Sequence, residues 1–229
     1  MRRTAVYAGT RNVYGEMVGA AKSLIYFNGA DQVIFLTEDD AFPYELPDMI
    51  STINVTRQEY FKTDGPNFVN HWTWMVLMRC ALPLMLTGRV LSMDIDTVVH
   101  GDLSGLWNLP AGPLYMAREV GRTEEYYNAG VMLMDCEDLR QDAKEIIRVL
   151  NCRKLTFPDQ DAINEVMRGR IKTLPPQYND SNWTVKGNED PVITHYAAIR
   201  QWTREPLWEK FATKSWGEVM RSPHINAAK

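Results

Sequence analysis

The amino-acid sequence predicts an α/β protein that folds as one domain, with a mixed and mostly parallel β-sheet flanked by helices. Short apolar runs alternate with segments of helical periodicity, which is the order expected of βαβ units. Several of these runs are apolar at nearly every position, as is typical of strands covered on both faces. With 229 residues and 45% hydrophobic content, the chain can bury one substantial core. We expect the domain to span residues 1–221 and residues 222–229 to form a flexible tail.

Six apolar runs predict strands. The first five are RTAVYAG, QVIFLT, RVLSM, PLYMAR and GVMLMD, at residues 3–9, 32–37, 89–93, 113–118 and 130–135. The sixth is PVITHY at 191–196. Residues 38–66 are rich in acids, prolines and turn residues, and INV (53–55) is a possible strand within them.

Five helices are predicted from apolar periodicity and end signals. Asn28-Gly29 supplies a stop for the first helix, Asp135 an N-cap for the third, and Pro158 suits the first turn of the fourth. The expected ranges are about 14–29, 67–86, 136–150, 158–169 and 204–220. The second of these is the most apolar, and we expect it to be buried and kinked near Pro83.

Composition and charge argue against several classes of protein. A formal net charge of -4 argues against a nucleic-acid or anionic-membrane partner, since these need clustered positive charge. Three cysteines without a CxxC pair favour a reduced protein. The N-terminus lacks the apolar stretch of a signal peptide, and the segment 71–86 is shorter than the roughly 20 residues of a membrane span. We therefore expect a cytoplasmic protein with no membrane span.

Two aspartates, Asp94 and Asp96, follow the strand at 89–93, at the edge where open α/β sheets bind ligands. They could simply form a turn. However, the apolar run before them would leave Asp94 partly buried, which is costly unless the carboxylate is paired or coordinated. Mg²⁺ and Mn²⁺ prefer carboxylate oxygens and keep positions open for phosphate. A metal site is therefore a hypothesis that the sequence supports.

Two other ionisable residues occupy apolar segments. His195, at the end of the PVITHY strand, is either a third metal ligand or a hydrogen-bonded core residue, and both roles stay open. Arg79 lies in the most apolar helix, where an unpaired guanidinium is expensive. Its anionic partner is either an internal carboxylate or a bound phosphate.

Two motifs combine an amide with neighbours that suit a ligand. PDQD places Asp159 and Gln160 in the first turn of a helix. Acids there favour the helix dipole, while the amide oxygen of Gln160 could stabilise a developing cation. In YYNAGVMLMD, Asn128, Ala129 and Gly130 form either a tight strand entry or a place where a ligand approaches the backbone.

Four segments resemble, in chain order, the motifs of the family 8 glycosyltransferases, which include glycogenin and bacterial lipooligosaccharide galactosyltransferases. These segments are RVLSMDIDTVVHGDLSGLW, YYNAGVMLMD, FPDQDAINEVM and THYAAIRQW. The N-terminal AVYAGTRNVYGEMVGAAKSL is similar to the family's nucleotide-binding loop and helix. The resemblance implies the GT-A fold, a Rossmann-like domain, and transfer of a hexose from a nucleotide-sugar donor with retention of anomeric configuration. It implies a UDP-sugar such as UDP-glucose or UDP-galactose, Mn²⁺ (or Mg²⁺) as cofactor, and a saccharide, protein hydroxyl or modified nucleotide as acceptor.

The resemblance also implies roles for individual residues. The metal ligands would be Asp94, Asp96 and His195. The donor would contact both aspartates and Ala8, Thr10, Arg11, Tyr14, Arg79, Asn128, Ala129 and Arg200. The ring of Tyr14 would stack on the nucleoside. Asp159 and Gln160 would act at the donor sugar, with Gln160 facing the anomeric carbon.

The closing motif departs from the family's pattern His-x-x-Gly-x-x-Lys-Pro-Trp. HYAAIRQW has Ala198 in place of glycine, Arg200 as the match for lysine, and one residue fewer before Trp202. This departure from the pattern would affect how the loop closes on the donor. Two other functions stay open: a haloacid-dehalogenase-type phosphatase that uses Asp94, since VLSMDIDTVV fits its apolar-strand-DxDxT start, and a nucleotide-sugar-binding protein without turnover.

Overall fold

Nine β-strands are present in the computed structural model, which describes residues 2–122 and 125–226. Their bounds are β1 Thr4–Ala8, β2 Gln32–Thr37, β3 Ile50–Asn54, β4 Arg89–Met93, β5 Thr97–Val99, β6 Leu114–Arg118, β7 Tyr127–Asp135, β8 Lys172–Thr173 and β9 Ile193–His195. Seven of them form one sheet in the order β3-β2-β1-β4-β7-β6-β8, and β5 pairs with β9 in a separate ribbon.

The sheet is mixed and mostly parallel, as predicted. Strands β3, β2, β1 and β4 are parallel neighbours, and so are β6 and β8, whereas β7 is antiparallel to both β4 and β6. Strands β1, β4 and β6 therefore point the same way, and their carboxyl ends share one edge with the amino end of β7. The segments that follow these strands meet at the edge where open α/β sheets bind ligands.

Helices cover both faces of the sheet. Within the described residues they are α1 Tyr14–Tyr26, α2 Met75–Met78, α3 Leu82–Met85, α4 Ser104–Trp107, α5 Cys136–Cys152, α6 Pro158–Val166, α7 Pro206–Ala212, α8 Trp216–Met220 and α9 Pro223–Asn226. Helices α1 and α7 pack with strand residues such as Ala5 and Tyr7. Helices α3, α5 and α6 pack on the opposite face with Val6 and Leu36. The alternation along β1 is that of a strand buried on both sides.

The helix expected over 67–86 is shorter and interrupted. It begins at Met75, and a 3₁₀ turn over Arg79–Ala81 separates α2 from α3. Pro83 has no N–H to donate to the carbonyl of Arg79, and the N–H of Leu82 bonds that carbonyl instead. The interruption therefore has the cause that we predicted, although the geometry is a tight turn rather than a kink.

The C-terminal segment also differs from the single helix expected over 204–220. It divides into α7 and α8, because the Ser215 side chain caps α8 in a capping box with Glu218. The segment expected as a tail continues into α9, and the Ser222 hydroxyl donates to the carbonyl of Tyr26 at 2.5 Å. Ser222 and His224 thus contact Tyr26 at the end of α1, while residues 227–229 lie outside the described residues. The domain boundary at residue 221 stays a prediction.

Three smaller features complete the comparison with expectation. Asp135 occupies the predicted N-cap position of α5, but its side chain makes no capping hydrogen bond. Asn28 has a φ of 52°, the left-handed conformation of the predicted helix stop. All three cysteines are free thiols. Across residues 2–122 and 125–226, none of the helices has the length and apolar character that a bilayer crossing requires.

Candidate active site

Asp94, Asp96 and His195 form a compact cluster at the carboxyl end of β4. Strand β4 ends at Met93, and the two aspartates lie in the turn that leads into β5. Strand β9 brings His195 to the same place, because it pairs with β5 in a register that sets Thr97 opposite His195. The Nε2 atom of His195 lies 3.6 Å from Oδ2 of Asp94 and 3.3 Å from Oδ1 of Asp96. The potential ligand atoms of the three residues all lie within 4.8 Å of one another.

The charges of the cluster are interdependent. Burial raises the pKa of Asp94, in spite of the opposing charge of Arg79. Burial also acts to raise the pKa of Asp96, but the charge and hydrogen bond of His195, together with a backbone hydrogen bond and the charge of Arg79, lower that pKa overall. Burial lowers the pKa of His195, whereas the charge and hydrogen bond of Asp96 and the charge of Asp94 together raise it by more. Two carboxylates therefore share the positive charge that His195 and Arg79 supply.

The donor set of the cluster fits a divalent cation. Two carboxylate oxygens and one imidazole nitrogen are ligands that Mn²⁺ accepts, and Mg²⁺ accepts the oxygens. The Nδ1 atom of His195 is engaged by Oδ1 of Asn179 at 2.9 Å, so Nε2 is the nitrogen that faces the carboxylates. The backbone holds the acids in position: the Asp94 N–H donates to the Gly130 carbonyl at 2.8 Å, and the Tyr196 N–H donates to the Asp96 carbonyl at 2.9 Å.

Gly130 makes room for the imidazole of His195. A Cβ atom at this position would lie 2.0 Å from Cε1 and 2.4 Å from Nδ1 of His195. The sequence left open either a tight strand entry or a place where a ligand approaches the backbone. In the structure the group that approaches is a side chain of the cluster itself.

Arg79 joins the cluster to the start of α6. Its guanidinium is ion-paired with Oδ1 of Asp94, lies 3.2 Å from Oδ2 of Asp159, and donates to the Ala129 carbonyl at 2.6 Å. Of the two partners expected for this buried arginine, the structure contains the internal carboxylates. Burial raises the pKa of Asp159, and the charge of Arg79 opposes that effect.

The amides of Asn128 and Gln160 meet at Glu119, the residue after β6. Oε1 of Glu119 accepts from Nε2 of Gln160 at 2.9 Å and from Nδ2 of Asn128 at 3.1 Å. Oε1 of Gln160 accepts from the Ala129 N–H at 2.9 Å. The oxygen that we predicted to face a sugar carbon is thus bonded to the backbone, and it keeps a second lone pair.

The first loop lies at the same edge of the sheet, but Tyr14 differs from expectation. Ala8 ends β1, Thr10 and Arg11 follow, and Arg11 is exposed and ion-paired with Asp39. Tyr14 is only 1% exposed, and its ring centroid lies 4.7 Å from that of Phe42. The predicted stacking role of Tyr14 is therefore wrong for this conformation, because its ring belongs to the core.

A cleft of about 450 Å³ opens beside the first loop. It is lined by Arg11, Asn12, Gly15, Glu16, Tyr44, Thr203, Trp208 and Ala212. The cleft is wide open to solvent, and Asp94, Asp96 and His195 are not among its lining residues. Asn12 and Tyr44 are polar residues in this cleft that the sequence did not single out.

The closing loop carries a strained residue. Ala198 has a φ of 63°, a left-handed conformation that costs a residue with a Cβ roughly 1–2 kcal/mol. This is the position at which the family's pattern has glycine. Arg200 is exposed, and among the described residues it has no ion-pair partner.

Two further polar residues of the site escaped the sequence analysis. Glu119 follows the PLYMAR strand, so the rule of acids at strand ends that identified Asp94 could have found it. Asn179 lies in a proline-rich loop and is fully buried. Nothing in its sequence context separates it from an ordinary turn residue.

Comparison with known proteins places the chain among glycosyltransferases. Residues 40–204 match the sequence model described as glycosyl transferase family 8. The chain is 27% identical over 199 residues to Glycosyltransferase GlyE of Streptococcus pneumoniae serotype 4, covering 78% of this chain and 48% of that protein. It is 26% identical over 166 residues to General stress protein A of Bacillus subtilis, covering 56% of this chain and 58% of that protein. The chain thus spans about half the length of these curated relatives.

Solved structures show the same fold. The crystal structure of GlyE aligns with a TM-score of 0.75 at 18% identity, over 100% of this chain and 64% of that chain. The galactosyltransferase LgtC, in complex with donor and acceptor sugar analogs, aligns with a TM-score of 0.68 at 19% identity, over 94% of this chain and 98% of that chain. The seven-stranded sheet and its flanking helices are those of the GT-A fold. With a family match over well more than half of its residues, the chain belongs to glycosyl transferase family 8.

Proposed function

We propose that this chain is a metal-dependent, retaining glycosyltransferase that moves a hexose from a nucleotide-sugar donor to a hydroxyl acceptor. The observation that carries the proposal is the convergence of Asp94, Asp96 and His195 within 4.8 Å, at the ligand-binding edge of a family 8 chain. The proposed donor is a UDP-sugar such as UDP-glucose or UDP-galactose. The proposed ion is Mn²⁺, with Mg²⁺ as the alternative.

The donor is proposed to lie along this edge, from the first loop to the cluster. Ala8, Thr10 and Arg11 would hold the nucleoside beside the cleft that Arg11 lines. When bound by the cluster, the cation supplies Lewis-acid stabilisation of the departing diphosphate. Arg200 is exposed and can add a bidentate contact to phosphate. Tyr14 supports the loop from the core rather than contacting the base.

Arg79 and the amides are proposed to organise the sugar end of the site. Arg79 orients Asp94 and Asp159 and keeps a positive charge beside the place where negative charge would develop. Asn128 and Ala129 would line the donor sugar. Gln160 would use the free lone pair of Oε1 to stabilise the oxocarbenium-like sugar. We propose front-face transfer without a covalent intermediate, because an amide is a poor nucleophile.

The acceptor is proposed only by chemical class. It is a hydroxyl group of a saccharide or a protein, or a modified nucleotide, since acceptor sites are built from loops that vary among family members. The cytoplasmic location stays a prediction from the sequence.

A donor screen tests the proposal. We expect Mn²⁺ together with one member of a panel of UDP-, GDP- and ADP-sugars to raise the melting temperature, because a ligand that binds only the folded state stabilises it. The matched control is Asp96→Ala, in which the Mn²⁺-dependent part of the shift should be lost. The assignment of the site is wrong if no donor stabilises the wild type, or if the variant responds equally.

Turnover separates the proposal from the other two functions. A non-catalytic binding protein would show the thermal shift without Mn²⁺-dependent release of UDP. The phosphatase alternative gains no support, because Asp94 is ion-paired with Arg79 and the chain belongs to a different family. Retention would be checked by the anomeric configuration of the product in NMR, and an inverted product would contradict it.

A further inference from the structure

Four side chains form an unbroken line of hydrogen bonds that ends on the proposed metal ligand His195. The line begins at Glu119, whose Oε1 accepts from Nδ2 of Asn128 at 3.1 Å. Oδ1 of Asn128 accepts from Nδ2 of Asn179 at 3.0 Å, and Oδ1 of Asn179 meets Nδ1 of His195 at 2.9 Å. We call these four residues the amide relay.

The direction of the amide relay is fixed by groups whose hydrogen-bonding role is unambiguous. An ionised carboxylate only accepts, so Glu119 requires the NH₂ group of Asn128 to face it. The backbone N–H of Gly130 only donates, and it bonds Oδ1 of Asn128 at 3.0 Å. Both constraints orient Asn128 in the same way. Its oxygen then selects the NH₂ group of Asn179, and the oxygen of Asn179 is left facing Nδ1 of His195.

We propose that Glu119 and Asn179 are positioning residues that hold the proton of His195 on Nδ1 and so leave Nε2 as the metal-binding nitrogen. If the imidazole carried its proton on Nε2, the lone pair of Nδ1 would face a lone pair of the Asn179 oxygen. In addition, Nε2 could not bind a metal. Outer hydrogen bonds of this kind typically set the orientation and basicity of a metal-binding histidine. This inference rests on the proposed function, because it assumes that the cluster binds a metal.

The amide relay also couples the metal end of the site to the sugar end. Oε1 of Glu119 accepts from Nε2 of Gln160 as well as from Asn128. The side chain of Glu119 is 8% exposed and Asn179 is fully buried, so water does not readily replace either partner. One carboxylate therefore orients the amide proposed to act at the sugar and, through two asparagines, the histidine of the cluster.

Mn²⁺ affinity without donor or acceptor tests the relay. We expect Asn179→Leu to lose about 10- to 100-fold in affinity, as is typical for loss of a residue that supports a metal ligand. Glu119→Leu should lose less, because the Gly130 N–H still orients Asn128. Glu119→Gln should bind close to wild type, because its amide oxygen can accept the same two hydrogen bonds. Binding is measured by electron paramagnetic resonance of free Mn²⁺.

A matched control separates the relay from the general cost of removing a buried amide. Asn67 is 1% exposed and bonds the carbonyls of Leu150 and Arg153, at the end of α5. Asn67→Leu should lower the melting temperature and leave Mn²⁺ affinity unchanged. Unchanged affinity in a folded Asn179→Leu variant would overturn the relay.

A second measurement is made on the wild type, and a substitution in the relay serves only to assign the signal. In the wild type loaded with diamagnetic Zn²⁺, ¹⁵N NMR of the His195 ring, assigned by its absence in His195→Ala, should show a proton on Nδ1 and none on Nε2. A proton on Nε2 would overturn the relay while leaving the proposed transferase intact. Absence of any Mn²⁺ binding by the wild type would instead remove the metal-dependent function and the relay with it.

Discussion

Replacing Gly130 by alanine removes the space that the His195 ring occupies. The new Cβ would lie 2.0 Å from Cε1 and 2.4 Å from Nδ1, whereas carbon atoms in contact are about 3.5–4.0 Å apart. The ring must therefore shift by roughly 1.5 Å. Gly130 is not among the glycines with positive φ, so alanine adopts its backbone conformation without strain. The destabilisation therefore arises from the collision with the His195 ring.

The expected cost follows from this collision. Overpacking a buried site costs about 1–3 kcal/mol, and loss of the bond from His195 to Asn179 adds about 1 kcal/mol. A shift of this size also separates Nε2 from Asp94 and Asp96, now 3.6 and 3.3 Å away. We expect the free energy of unfolding to fall by roughly 2–4 kcal/mol and Mn²⁺ affinity to fall at least about tenfold.

Urea unfolding and Mn²⁺ titration of Gly130→Ala measure these two effects. The control is the same substitution in a His195→Ala background, where the colliding ring is absent and most of the stability penalty should vanish. An equal penalty in both backgrounds, or wild-type Mn²⁺ affinity in Gly130→Ala, would refute the reasoning.

Three further predictions concern charge and strain. Arg79→Met should lower the free energy of unfolding by about 3–5 kcal/mol, because Asp94 and Asp159 would be left buried without their cation; a loss below about 1 kcal/mol in urea would argue otherwise. Ala198→Gly should raise stability by about 0.5–1 kcal/mol, since glycine adopts a φ of 63° without strain, and a lower melting temperature would contradict this. Burial lowers the pKa of His195 but the carboxylates raise it by more, so its net pKa lies above the usual value. The protonated ring therefore stabilises the metal-free protein fully below pH of about 6.5, and this stability is lost as pH rises through the raised pKa. Because Mn²⁺ needs the neutral ring, its affinity should increase over the same interval with proton release in calorimetry; a pH-independent affinity there would count against the cluster.

Much of the fold follows from local pattern. Strands β1, β2, β4 and β7 coincide with apolar runs of the sequence, and these runs predict them. The helical spacing of apolar residues predicts α1 and α5. Strands β5 and β8 have three and two residues, too few for a pattern to register. The helix expected from residue 67 fails before Met75, where Asn67 and Asn70 use their side-chain amides to bond backbone carbonyls instead of continuing a helical ladder.

The candidate site was partly predictable for a related reason. Asp94 and Asp96 follow the end of β4, at the edge where open α/β sheets bind ligands. His195 stands at the end of β9 and is brought to them by the antiparallel pairing of β9 with β5. The role of Asn179 depends on a contact with a histidine 16 positions away, which no local pattern encodes. The prediction for Tyr14 is wrong for a different reason. Its position after the first loop suggests a ligand contact, but its ring packs against Phe42 in the core.

Mn²⁺-dependent release of UDP from a UDP-sugar tests the central claim most directly. The measurement compares the wild type with Asp96→Asn, which keeps the shape of the side chain but removes its charge, across a panel of UDP-hexoses. We predict release by the wild type that requires Mn²⁺ or Mg²⁺ and falls by at least about tenfold in the variant. Release that is equal in the two proteins, or that proceeds fully in the presence of a chelator, would contradict the account.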